Sequence, residues 1–102
     1  MADDLLIPAE GDAPVESAEL LAASGLAQEE LVELVEFGVF ETQAGGSGWS
    51  FQARVVHQAR RAVKLRDAFG LNPPGMALAL TYLEKIEALE QRVRELECHL
   101  PR

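Results

Sequence analysis

One cysteine, one tryptophan and one tyrosine stand among 102 residues, and no lysine or arginine precedes position 54. The single Cys98 excludes an internal disulfide and any zinc cage built on cysteines. With aromatics at 6%, a large β-sandwich is disfavoured and a helical fold is expected. The longest apolar stretch, Met76 to Leu83, covers eight residues and includes Thr81, too short for a bilayer-spanning helix. Asp3 and Asp4 stand where a secretory signal needs Lys or Arg, so no signal is expected and the chain is placed in the cytoplasm. The missing basic charge is the sharpest absence: residues 1–52 carry −11 and residues 53–102 carry +3, for a net −8. Such a balance disfavours generic binding to nucleic acid or anionic membranes.

Hydrophobic residues make up 48%, enough for one small core at this length. The charge split admits three readings: a polarised interaction surface, two halves that attract each other, or an acidic surface kept for solubility.

Punctuation along the chain sets the elements. Residues 1–14 read as a tail, with Leu5-Leu6-Ile7 a candidate short strand. A short helix follows Ser17 as N-cap and ends at Gly25. A second helix spans about Ala27 to Phe37, with Gly38 where a left-handed cap is wanted. Val39–Glu41 and Trp49–Phe51 read as two strands of a hairpin, or wing, around Gly45-Gly46-Ser47-Gly48. A third helix covers roughly Gln52 to Phe69, and Asn72-Pro73 open a fourth that continues to about Leu100. The order predicts a mainly α fold: a winged helix-turn-helix over 15–71 and a long C-terminal helix over 72–102.

At 100° per residue, Leu31, Val32, Leu34 and Val35 share one side of the second helix. Glu29, Glu30, Glu33 and Glu36 occupy an opposite arc and are expected to be exposed, with Phe37 at its end. Like charges at this spacing oppose an isolated helix by about 0.2–0.5 kcal/mol per pair. In a DNA-reading helix-turn-helix this helix enters the major groove, where phosphates would repel four glutamates. The arc is therefore either a solvated face or a surface for a basic partner.

The third helix places Val55, Val56, Ala59, Ala62, Val63 and Phe69 on an apolar face. Arg54, His57, Arg60, Arg61 and Lys64 lie opposite, as a solvated basic face. Arg66 falls within the apolar face, so its stem should pack and its head should meet a carboxylate. In the fourth helix, Ile86, Leu89, Val93, Leu96 and Leu100 alternate at spacings of three and four, a short seam that fits dimerisation. Lys85, Arg92 and His99 flank one edge and Glu90 and Glu97 the other, a pattern suited to parallel pairing, though it does not fix the orientation. His57 and His99 have neither nucleophile nor metal-ligand set around them, and the glycine loop lacks the Lys-Ser/Thr of a phosphate loop. No enzyme, cofactor or metal is expected.

Three segments carry a resemblance: E-E-L-V-E-L-V-E-F-G-V-F-E (29–41), W-S-F (49–51) and R-R-A-V-K-L-R-D-A-F-G-L-N-P-P-G-M-A-L-A-L-T-Y-L-E-K-I (60–86). In that order they resemble the chaperone modulator family CbpM, and the helix-turn-helix part is shared with MerR-type regulators. The resemblance implies a non-enzymatic cytoplasmic regulator that binds the J-domain of a DnaJ-like co-chaperone of CbpA type. It would restrain that partner's stimulation of Hsp70 and its DNA binding. J-domains present a Lys/Arg-rich helix, so Glu29, Glu30, Glu33 and Glu36 with Phe37 as apolar anchor become the expected contact. MerR-like relatives pair their C-terminal helices antiparallel, which leaves the orientation open. The competing reading is a MerR-type transcription factor using the wing and the basic third helix on DNA, and the −11 charge of the first half weighs against it.

Overall fold

A computed structural model describes residues 13–43 and 48–100. The candidate strand at Leu5-Leu6-Ile7 and most of the Gly45–Gly48 loop lie outside the described residues. In chain order the elements are β1 (Val15–Glu16), α1 (Ser17–Ser24), α2 (Gln28–Glu36), β2 (Ser50–Phe51), α3 (Arg54–Phe69) and α4 (Pro73–Cys98).

Local chemistry accounts for most of the boundaries. Glu16, rather than Ser17, is the N-cap of α1, because the Glu19 carboxylate reaches back to accept the Glu16 N–H at 3.1 Å. Gly25 closes the helix in the left-handed region at φ 87°, where a side chain would be strained. Ser24, buried behind it, donates to the Leu20 carbonyl at 2.7 Å and accepts from the Leu26 N–H at 3.2 Å. The three-residue turn is thereby fixed from inside. Asn72 caps α4 by accepting the Gly75 N–H at 2.9 Å, and Pro73 opens it, as the sequence predicts. The third helix starts at Arg54, two residues later than expected, after a tight turn in which Val55 N–H bonds the Gln52 carbonyl.

The core joins all four helices and β2 through Leu20, Leu26, Leu31, Leu34, Phe40, Phe51, Val55, Ala59, Ala62, Met76, Ala77 and Leu80, with partly buried Val15 of β1 packed against it. α1 packs on α3, while α4 packs on both α2 and α3.

The expected wing is corrected. Ser50–Phe51 pairs antiparallel with Val15–Glu16, in the register Val15 to Phe51 and Glu16 to Ser50, and Val39–Glu41 is not a strand. After Gly38 the Val39 N–H still bonds the Leu34 carbonyl at 3.0 Å, and Phe40 then turns into the core. A segment committed to the helix end and the core cannot also serve a sheet edge. What is left of the first wing strand is Gln43, whose N–H donates to the Ser50 carbonyl at 2.7 Å.

Phe69 is a second correction: it is 72% exposed rather than part of the apolar face. The core ends one turn earlier, where the inward position is Arg66. As expected, that guanidinium is paired, donating to Glu30 of α2 at 2.7 Å and to Asp67 at 3.0 Å. Asp67 first, and Glu30 second, hold Arg66 more firmly protonated than an ordinary arginine.

Three variants test this account. Phe51→Ala, which empties the centre of the β1–β2 contact, should lower unfolding free energy by about 3–5 kcal/mol in a urea titration. Glu30→Lys should lower the melting temperature by several degrees, the equivalent of on the order of 1 kcal/mol, whereas Glu33→Lys should leave it nearly unchanged. Equal melting temperatures for the two would mean that the Glu30–Arg66 pair contributes nothing.

Candidate functional site

The acidic helix is set by its neighbours. Leu31 and Leu34 anchor α2 in the core, which turns the glutamate side outward. The four carboxylates are not equivalent. Glu29 and Glu36 are exposed and Glu33 is half-buried. Glu30 has only 18% of its side chain exposed, against 26% for Arg66. Besides pairing with Arg66, Glu30 accepts the Ala27 N–H at 3.0 Å, closing the first turn of its own helix. The expectation of four free carboxylates is therefore corrected to three, with Glu30 engaged inside the chain because Arg66 of α3 reaches it. Phe37, the C-cap of α2, is 52% exposed beside Glu33 and Glu36. A half-exposed ring bordered by carboxylates is a surface that can take a cation and an apolar group together.

The opposite flank of α2 carries what the sequence reading missed. Trp49 packs edge-on against buried Phe51, with ring centroids 6.3 Å apart and planes at 82°. Its carbonyl accepts the Ser17 N–H at 3.3 Å, so the strand pairing places the indole at the junction of α1 and α2. A tryptophan isolated in sequence gives no periodic signal, and only its pairing partner β1 fixes where it goes.

The seam on α4 is also longer than expected. Ile86, Leu89, Val93, Leu96 and Leu100 are 49–63% exposed, and so are Leu78 and Tyr82. By rotation all seven fall within about 80° of helix surface. Buried Met76 and Leu80 lie on the other side of the same helix. Lys85, on the flank of the stripe, sits over the Tyr82 ring at 5.8 Å. From Glu84 to Leu100 every residue is exposed, so α4 projects beyond its own domain. At its root Arg61 grips Glu87 with its two terminal guanidinium nitrogens, and Gln58 donates to Glu84 at 2.6 Å. Arg61, by that pairing, holds the Glu87 carboxyl below its usual range.

The basic residues of α3 serve the fold in part. Arg60 donates to the Ala23 carbonyl at 3.2 Å, and Arg61 and Arg66 are paired as described. His57 and Cys98 are exposed. Among the described residues no three His, Cys, Asp or Glu converge on a metal position, and no helix is long and apolar enough to cross a membrane.

Comparison with known proteins agrees with this geometry. The family described as "MerR HTH family regulatory protein" matches residues 15–98, from β1 to the end of α4. The chaperone modulatory protein CbpM of Salmonella arizonae is 36% identical over 85 residues, covering 82% of this chain and 84% of that one. The protein of the same name from Coxiella burnetii is 36% identical over 89 residues, covering 86% and 84%. The chain therefore belongs to the chaperone modulatory protein CbpM family, built on a MerR-type helix-turn-helix fold.

Proposed function

We propose that the protein acts in the cytoplasm as a binding regulator, docking the exposed carboxylates Glu29 and Glu36 and the half-buried Glu33, with Phe37, on the basic helix of a J-domain. The carrying observation is that α2 presents these groups outward with no lysine or arginine on its own helix or on α1. Occupying the basic helix would deny it to Hsp70, so inhibition follows from competition without any reaction. Masking of the co-chaperone's DNA binding would likewise act through protein contact. Charge complementarity of this kind raises the association rate and fixes register. Glu30 supports the surface from behind, by holding α2 to α3 through Arg66.

The same surface weighs against the competing reading as a DNA-binding regulator, although the MerR-type fold allows it. In that fold α2 is the helix that enters the major groove, and its outward side is acidic.

We also propose that the stripe from Leu78 to Leu100 is covered by a second copy of the chain. Seven half-exposed apolar side chains on one side of a projecting helix form a patch larger than a monomer usually leaves in water.

For the partner surface, Glu33→Lys combined with Glu36→Lys should slow association with an isolated J-domain by about tenfold and flatten its salt dependence. Phe37→Ala should mainly speed dissociation. Unchanged rates in the charge-reversed variant would reject the surface, and sequence-dependent duplex binding near nanomolar at physiological salt would favour the DNA reading instead. For the self-contact, Val93→Glu with Leu96→Glu should give a folded monomer by sedimentation where the wild type is a dimer. A monomeric wild type at micromolar concentration would end that proposal.

A further inference from the structure

Between α1, α2 and Trp49 lies a groove of about 170 Å³, with Ala18, Leu21, Leu31, Val32 and Trp49 on its apolar sides and Ser17 and Gln28 on its polar ones. A cavity of about 150 Å³ is large enough for a benzene-sized group, so one large apolar side chain fits. The groove is already formed: Leu31 is buried at its base, and Trp49 is fixed by the Ser17 hydrogen bond and the Phe51 ring. Even so, Trp49 leaves 37% of its surface in water.

The charge around it is of one sign. Glu29 and Glu36 stand three residues before and four residues after Val32, the spacing of neighbours on a helix surface, and both are exposed. Among the described residues no lysine or arginine lines the groove. A hollow with an apolar floor and a polar edge, beside carboxylates, matches a ligand that offers an apolar side chain next to cations. Carboxylates alone would give fast encounter but little residence, because affinity needs a desolvated apolar centre.

We infer that this groove seats one leucine-, methionine- or phenylalanine-sized side chain of the J-domain's basic helix, between that helix's lysines and arginines. The inference rests on the J-domain reading above and gives that surface a centre on the Val32 side of the glutamates. Phe37, on the other side, then acts as a flanking contact.

Trp49 is the only tryptophan of the chain, so it reports directly on the groove. Titration with a J-domain that carries no tryptophan should shift the Trp49 emission to the blue as the indole is dried. Ala18→Phe and, separately, Gln28→Phe fill the groove from two exposed positions without removing any core atom. Each should weaken J-domain binding by about tenfold or more in calorimetry, with an unchanged melting temperature and an unchanged salt slope, since the carboxylates are untouched. Should one of them fail to fold, the other decides. Binding without any change in Trp49 emission, or wild-type affinity in the folded filled variants, overturns the groove and leaves the J-domain reading standing. A blue shift that grows with protein concentration in the absence of the J-domain assigns the groove to a second copy and overturns the inference. No J-domain binding by the wild type overturns both readings together.

Discussion

A 26-residue helix is attached to a domain whose core reaches only its first turns, and most of the molecule's surface character follows from that mismatch. At 1.5 Å per residue α4 is about 39 Å long. Met76, Ala77 and Leu80 enter the core, and polar contacts from Gln58 and Arg61 mark where the domain surface gives out. Beyond them, up to Leu100, every residue of the helix and its cap is exposed. Its apolar stripe also begins at Leu78, beside the buried residues but on the other side. A surplus of length alone would have left apolar groups only past the end of the domain. The stripe instead runs alongside the packed turns, so it is a surface distinct from the side that enters the core.

The uneven charge of the two halves is resolved in an equally divided way. Part of it is spent inside the molecule: Arg66 reaches Glu30, and Arg60 reaches the end of α1. The rest stays outside, on Glu29, Glu33 and Glu36. Attraction between halves and a polarised surface thus coexist, and the helix face decides which carboxylate does which. Glu30 faces the last turns of α3, where an arginine occupies an apolar position.

The helices were legible in the sequence because their ends are set by groups within a few residues. Gly25 and Gly70 supply left-handed backbone, at φ 87° and 67°, and Asn72 with Pro73 supplies the start of α4. Such preferences act on the local chain whatever surrounds it. The inward positions Leu31, Leu34, Val55, Ala59 and Ala62 followed from a period of 3.6 for the same reason. The family resemblance, carried by motifs along the chain, likewise needed no coordinates.

Contacts between residues distant in sequence were decided by the tertiary structure alone. Phe51 pairs with Val15 instead of closing a hairpin, since Phe40 is drawn into the core and the chain before the wing cannot lie flat. Besides its local cap on Ala27, Glu30 differs from Glu33 through Arg66, 36 residues away, and helical rotation cannot register a partner on another helix. Phe69 is exposed because the core has already ended at that arginine. Trp49 joins α1 and α2 into a groove through a strand pairing with no periodic signature. Sequence fixes which side of each helix is apolar through geometry internal to that helix, whereas which apolar side finds a neighbour, and which stays open for another molecule, depends on how all the elements fill space together.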